Sequence, residues 1–137
     1  MDRVYLDANI LFSAAYKPVG PLRRLWLLAD VELITSVQAV LEAYNNLSSA
    51  RPAQLADLAQ LLLSVTIFPD PLPSFVLPAG ISLPDKDKPI LQAAIDAQAT
   101  HLVTGDVKHF GPYYGQTMNG VLILSPAQYL QGRQHIP

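Results

Sequence analysis

The sequence predicts an α/β domain whose parallel sheet is covered by helices on both faces. Half of the 137 residues are hydrophobic, a composition typical of a packed globular domain. Short apolar runs alternate along the chain with segments of helical periodicity, and this order favours parallel strands joined by helical crossovers. The length fits one domain over residues 1–137.

Five runs rich in apolar or β-branched residues are predicted to be strands. They span residues 4–6, 32–35, 65–68, 102–104 and 121–124. The first run ends at Asp7, and the fourth leads directly into Gly105 and Asp106. Because the carboxyl ends of parallel strands meet at one edge of a sheet, we expect Asp7 and Asp106 at the same edge.

The helices are predicted from capping residues, prolines and apolar spacing. They begin at residues 9, 21, 37, 53, 88 and 126. The first, second and fourth are expected to end near residues 15, 29 and 63. Ser36 and Asp87 are the predicted N-caps of the helices that follow them, and Pro89 fits a first helical turn.

Residues 69–89 are predicted to form a long irregular connection. They hold six of the twelve prolines, which interrupt both helices and strands. A short strand or turn is expected within this connection at residues 75–77.

The composition excludes several functional classes. The chain has no cysteine, which rules out disulfides, zinc–thiolate sites and cysteine nucleophiles. The N-terminus lacks the features of a signal peptide, and the most apolar stretch, residues 61–68, is too short to span a bilayer. We therefore expect a cytoplasmic protein without a membrane partner. The net charge of −2 means that nucleic-acid binding would have to use local basic patches.

Four acids fall where one site could gather them: Asp7, Glu42, Asp87 and Asp106. The chain has only eleven acids, and two of these four follow predicted strands. Two carboxylates about 4 Å apart repel by roughly 4 kcal/mol at an effective dielectric near 20, so a cluster of four requires a cation or protons. Mg²⁺ or Mn²⁺ is the natural cation for such oxygen ligands. Each acid alone is more typical of a helix cap, a turn or a solvated helix face than of a catalytic site, and the position of all four near strand ends shifts the balance.

Competing catalytic motifs are missing from the sequence. There is no GxGxxG dinucleotide motif, no GxxxxGKS phosphate loop and no GxSxG nucleophile elbow. The acid cluster with a metal-activated water therefore remains the best candidate for chemistry.

The chain resembles the PIN domain, and within that family the VapC-like toxin ribonucleases. The resemblance covers nearly the whole chain and rests on the order and spacing of five segments. These are Leu6-Asp7-Ala8-Asn9-Ile10-Leu11, residues 36–42, residues 85–94, Leu102-Val103-Thr104-Gly105-Asp106 and residues 125–130.

This resemblance implies a three-layer α/β/α sandwich and a Mg²⁺- or Mn²⁺-dependent endoribonuclease, the toxin of a type II toxin–antitoxin pair. It implies an RNA substrate and a small protein antitoxin as partners, and it leaves homodimer formation open. The catalytic and metal-binding positions that match the family are Asp7, Glu42, Asp87 and Asp106. Asn9 and Thr104 match its supporting polar residues. Asp85 is a rival for the third acidic position, but the helical pattern that follows favours Asp87.

Basic residues near the acids suggest a path for RNA. Lys86 and Lys88 flank Asp87, while Lys108 and His109 follow Asp106. These side chains could neutralise phosphates beside the acidic centre, or they could serve only solubility. The alternative function is a catalytically silent PIN-fold module that binds RNA or a protein.

Overall fold

The computed structural model describes residues 1–72, 77 and 79–134, and the strands of this part of the chain form one central sheet. The strands are β1 (Asp2–Leu6), β2 (Val31–Ser36), β3 (Val65–Phe68), β4 (His101–Val103), β5 (Thr117–Met118) and β6 (Val121–Leu124). Their order across the sheet is β3-β2-β1-β4-β6-β5. The short β5 pairs antiparallel with β6, and the other neighbouring strands pair in parallel. The expected mainly parallel sheet is confirmed.

Helices cover both faces of this sheet. The α-helices of the described residues are α1 (Ala8–Tyr16), α2 (Val37–Ala50), α3 (Leu55–Leu62), α4 (Lys88–Asp96) and α5 (Pro126–Gln134). Buried side chains of α1, α2, α3 and α5 share one hydrophobic core, and those of α4 belong to a second core on the opposite face. The three-layer α/β/α arrangement is therefore confirmed. Among the described helices, none is long and apolar enough to cross a membrane.

The alternation of side chains along β1 explains why both faces need a cover. Val4 and Leu6 pack into the core beneath α1 and α2, whereas Tyr5 packs into the core beneath α4. All three side chains are fully buried. A strand that is apolar on both faces is stable only between two layers of helices.

The order in which the strands are added to the sheet changes direction at β1. From β1 it proceeds to β2 and β3 on one side, and then crosses to β4 and β6 on the other side. The carboxyl ends of β1 and β4 therefore flank the point where the two connections diverge. In open parallel sheets this point forms a crevice, and the loops around it supply ligand-binding side chains.

Several predicted elements differ from the structure in type or by one or two residues at their ends. The segment predicted as a helix from residue 21 to about 29 is a 3₁₀-helix, Pro21–Leu27. The predicted helix at 53–63 begins with the 3₁₀ turn Pro52–Gln54 and continues as α3. The fourth strand ends at Val103 rather than at residue 104.

The sequence prediction also missed β5. It forms a hairpin with β6 through Asn119 and Gly120, whose φ angles are 49° and 85°. Asn-Gly is the preferred pair for such a two-residue turn because both positions need positive φ. The strand escaped prediction because only Thr117 and Met118 form it.

The strand or turn expected at residues 75–77 falls largely outside the described residues. Only Leu77 of that segment is described, and it belongs to no helix or strand.

Candidate metal centre

A polar cleft of about 240 Å³ opens beside the carboxyl ends of β1 and β4. Its walls include all four acids predicted from the sequence: Asp7, Glu42, Asp87 and Asp106. A larger cavity of about 370 Å³ lies beside α1, but none of the described residues that line it is acidic. The distribution of charge therefore identifies the smaller cleft as the candidate site.

Asp7 is held rigidly at the floor of the cleft. It follows β1 and caps α1, since its Oδ1 accepts a hydrogen bond of 2.7 Å from the backbone N–H of Ala8. Its Oδ2 accepts hydrogen bonds from Thr104 Oγ1 at 2.7 Å and from Asn9 Nδ2 at 3.1 Å. The orientation of the carboxylate is thus set by the first residues of α1 and by the residue that follows β4.

Asn9 and Thr104 also fix the loop that carries Asp106. Asn9 Oδ1 accepts a hydrogen bond of 2.9 Å from the backbone N–H of Gly105. Thr104 Oγ1 accepts one of 3.1 Å from the backbone N–H of Asp106. The two residues therefore link the loop after β4 to the start of α1. The supporting role that the family resemblance implies for them stays a prediction.

The protonation of Asp7 is perturbed by its surroundings. The residue is 3% exposed, and burial raises its pKa from 3.8 to about 6. Hydrogen bonds from Thr104 and Ala8 oppose this rise, whereas the negative charges of Glu42 and Asp87 add to it. A carboxyl group with a raised pKa gains from a nearby cation, which favours its ionised form.

Asp87 and Asp106 converge on His109. The His109 Nδ1 atom lies 2.8 Å from Asp87 Oδ2 and 3.0 Å from Asp106 Oδ2. Of these two contacts, the one to Asp106 has the geometry of a hydrogen bond. Asp106 Oδ1 also accepts a hydrogen bond of 3.1 Å from the backbone N–H of His109.

This arrangement leaves a buried oxygen of Asp87 unsatisfied. Asp87 is 6% exposed, and its Oδ2 has no hydrogen-bond partner among the described residues. Burial raises the pKa of Asp87, as does the charge of Asp106, while His109 opposes the rise. A buried carboxylate oxygen that approaches His109 Nδ1 but accepts no hydrogen bond is costly, so this atom is suited to a cation.

The donors in the cleft fit a hard divalent metal. Ligand atoms of Asp87, Asp106 and His109 all lie within 4.8 Å of one another. Asp7 and Glu42 line the same cleft outside this closest group. Carboxylate oxygens are the preferred ligands of Mg²⁺ and Mn²⁺, and the unsatisfied Asp87 oxygen is the observation that supports the fit.

Glu42 enters the cleft from α2. Ser36 caps this helix as predicted, accepting a hydrogen bond of 3.3 Å from the backbone N–H of Ala39. Gln38 and Asn46 lie one turn on either side of Glu42 and line the cleft with it. These two amides were not predicted from the sequence, although their helical spacing from Glu42 places them on the same face of α2.

A comparison with protein families agrees with the fold and the cleft. The model of the PIN domain matches residues 3–108, more than half of the chain. The chain belongs to the PIN domain family. The matched span contains all four acids of the cleft and ends one residue before His109.

Two solved structures share the fold of this PIN domain. One is VapBC2 from Rickettsia felis bound to a DNA fragment from their promoter, with 19% identity, a TM-score of 0.64, and coverage of 90% of this chain and 98% of that chain. The other is VapC20 from Mycobacterium tuberculosis, a Sarcin-Ricin loop cleaving toxin, with 10% identity, a TM-score of 0.58, and coverage of 84% and 98%. No curated protein sequence matches the chain. The expected resemblance to VapC toxins is confirmed at the level of the fold.

Of the two rivals for the third acidic position, the PIN domain directs Asp87 into the cleft. The side chain of Asp85 is 98% exposed and accepts a hydrogen bond of 2.9 Å from Lys88 Nζ.

The predicted capping role of Asp87 is wrong in one respect. Asp87 occupies the N-cap position of α4, but within the described chain its side chain makes no capping hydrogen bond. Its carboxylate is drawn instead towards His109.

The basic residues proposed for RNA binding differ in position. Lys86 lines the cleft and is exposed. Lys88 pairs with Asp85, and Lys108 is exposed on the loop after Asp106. His109 is about four-fifths buried, with its side chain 21% exposed, and contacts the acids directly. It therefore lies within the acidic centre, whereas Lys86 lies on the rim of the cleft.

Proposed function

We propose that this PIN domain is a Mg²⁺- or Mn²⁺-dependent endoribonuclease and the toxin of a type II toxin–antitoxin pair. The single observation that carries the proposal is the convergence of four acids in one cleft, with a buried, unsatisfied oxygen on Asp87. Membership of the PIN family and the shared fold with two VapC structures support the same reaction class.

The residues that would hold the cation are Asp7, Glu42, Asp87 and Asp106. A divalent cation bound there would supply an activated water and would neutralise charge on the phosphodiester. Thr104 and Asn9 hold Asp7 Oδ2 in one orientation, so this ligand would need little reorganisation on binding. The described residues of the cleft offer no cysteine, serine or lysine in a nucleophile–base pair, so hydrolysis without a covalent intermediate is the chemistry we infer.

The substrate we propose is single-stranded RNA. The cleft is open to solvent, and its rim carries the exposed Lys86. A chain with a net charge of −2 cannot attract RNA through its overall field, so a local cation beside the acids is required. The amides of Gln38 and Asn46 add hydrogen-bonding groups that a nucleotide could meet.

We also propose a small antitoxin as protein partner. The solved VapBC2 complex from Rickettsia felis provides the structural analogy. On this chain, Val37, Leu41 and Tyr44 form an apolar strip on α2 and are 42%, 56% and 49% exposed. Leu41 and Glu42 also line an open groove that adjoins the acidic cleft. An apolar segment laid along this strip would reach the cleft and obstruct it.

The decisive experiment is a cleavage assay with purified protein and a synthetic RNA. We expect cleavage in Mg²⁺ or Mn²⁺ that stops with EDTA and returns on adding excess metal. A metal-activated water should leave 5′-phosphate and 3′-hydroxyl ends. Asp106→Asn, prepared in parallel, controls for contaminating nucleases. Cleavage that survives chelation, or products with 2′,3′-cyclic phosphates, would contradict the mechanism. RNA binding without cleavage by a metal-loaded protein would favour the silent binding module.

A further inference from the structure

We propose that His109 is a direct ligand of the divalent cation through Nδ1, and that this nitrogen makes the site prefer Mn²⁺ over Mg²⁺. The inference rests on the proposed function, because it concerns the same cleft. It goes beyond that function by adding a nitrogen ligand to the four acids and by choosing between the two metals.

The first argument is the position of the imidazole. His109 Nδ1 lies 2.8 Å from Asp87 Oδ2 and 3.0 Å from Asp106 Oδ2. Two ligands at right angles on an octahedral ion, each with a bond of about 2.1 Å, lie about 3.0 Å apart. Each carboxylate oxygen is thus at a distance from Nδ1 that suits neighbouring ligands of one ion, and ligand atoms of all three residues lie within 4.8 Å of one another.

The second argument is that a plain ion pair does not satisfy the cluster. A histidine Nδ1 carries at most one proton, and two carboxylate oxygens approach it. The hydrogen bond to Asp106 has suitable geometry, and Asp87 Oδ2 is left without a partner among the described residues. Asp87 is more than nine-tenths buried, so water solvates this oxygen poorly. A cation shared by the three side chains would satisfy it.

The third argument is that the imidazole is already fixed in place. The backbone N–H of Phe110 donates to the carbonyl of Asp106 at 3.0 Å, and that of Gly111 donates to Val107 at 3.0 Å. Phe110 is fully buried in the core beneath α4. The segment from Asp106 to Gly111 is therefore a closed turn anchored to the core, and it holds His109 against Asp87 and Asp106. A ligand held in this way needs little reorganisation.

Metal preference follows from the type of donor atom. Mg²⁺ binds oxygen almost exclusively and retains several waters, whereas imidazole suits transition metals better. Replacing one oxygen of the coordination shell with nitrogen should therefore weaken Mg²⁺ relative to Mn²⁺. A site built from the acids alone would lack this bias.

The test is pulsed EPR of the Mn²⁺-loaded protein, in which a coordinated imidazole modulates the electron spin echo at ¹⁴N frequencies. We expect nitrogen modulation in the wild type and its loss in His109→Ala. His101→Gln is the matched control because His101 is the first residue of β4, and the cleft lies at the other end of that strand. It should retain the signal. A wild-type spectrum without nitrogen coupling would overturn the inference, and this result does not depend on whether any variant folds.

Binding titrations provide the second measurement. We expect His109→Ala to weaken Mn²⁺ binding at least about tenfold, the lower end of the effect of disturbing a metal site. His109→Asp restores an oxygen donor, so it should lower the ratio of Mn²⁺ to Mg²⁺ affinity by about tenfold or more. An unchanged ratio in His109→Asp would contradict the inference.

The outcomes also separate this inference from the proposed function. Nitrogen coupling in a protein that never cleaves RNA would support the ligand and refute the nuclease. Metal-dependent cleavage without nitrogen coupling would support the nuclease and refute the ligand.

Discussion

Replacing Asp7 with Asn is expected to stabilise the metal-free protein at neutral and alkaline pH. Burial raises the pKa of Asp7 from 3.8 to about 6. Between these two values the folded protein binds more protons than the unfolded chain, so the free energy of unfolding falls as pH rises through this window. The stability contributed by the protonated carboxyl is therefore fully present below pH 3.8 and is lost above about pH 6.

The magnitude follows from the pKa and from the hydrogen bonds. At about 1.4 kcal/mol per pH unit, the difference between 3.8 and about 6 corresponds to roughly 3 kcal/mol of unfolding free energy. Asn removes this charge and can still accept the capping bond from Ala8. Its NH₂ group must then face Asn9 and Thr104, which now donate to the carboxylate, and the disturbed bonds cost about 1–2 kcal/mol. The net gain is about 1–2 kcal/mol.

The assay is urea unfolding in EDTA, with wild type and Asp7→Asn compared at about pH 8 and about pH 4. The variant should be more stable at the higher pH, and the gain should vanish or reverse at the lower pH, where Asp7 of the folded protein is protonated and carries no charge for Asn to remove. Asp85→Asn is the control, because its side chain is 98% exposed, and it should change stability by less than about 0.5 kcal/mol. A destabilised Asp7→Asn at about pH 8 would refute the reasoning.

Three further predictions concern activity, metal binding and RNA binding. Asp106→Asn and Asp87→Asn should each lower the rate of RNA cleavage at least about a hundredfold, whereas Asp85→Asn should not. A cleavage time course in which Asp85→Asn is slower than Asp87→Asn would contradict the assignment of the third acid. Mn²⁺ at a hundred times its dissociation constant should raise the unfolding free energy of the wild type by about 2.7 kcal/mol, and that of Asp87→Asn by less. Thermal melting measures both shifts, and equal shifts in the two proteins would place the metal elsewhere. Lys86→Ala should lower the slope of log binding constant against log salt concentration for RNA by about 0.7. Lys88→Ala should leave this slope unchanged because Lys88 pairs with Asp85. Equal slopes for the wild type and both variants would assign Lys86 to solubility.

The order of elements could be predicted because local signals were strong. The apolar run that ends at Asp7 must be buried on both sides, and Ser36 marks the start of α2. The type of the segment Pro21–Leu27 could not be predicted, because Leu22 and Leu25 are three residues apart. This spacing also matches the three-residue turn of a 3₁₀-helix.

The acidic cleft could be predicted in part from strand ends. Asp7 and Asp106 follow adjacent parallel strands, so topology alone brings them together. The contact of His109 with Asp87 could not be predicted, because it joins the turn after β4 to the start of α4 across the cleft. It depends on how two separate segments pack. The loss of the Asp87 cap has the same origin, since a partner distant in sequence competes with the residue's own helix.

A crystal grown with Mn²⁺ would show whether the four acids form a metal centre. Anomalous scattering recorded near the manganese edge would locate the ion without assumptions about the ligands. We expect a peak in the cleft within about 2.0–2.3 Å of carboxylate oxygens of Asp87 and Asp106. A crystal with saturating Mn²⁺ and no anomalous peak between these acids would contradict it.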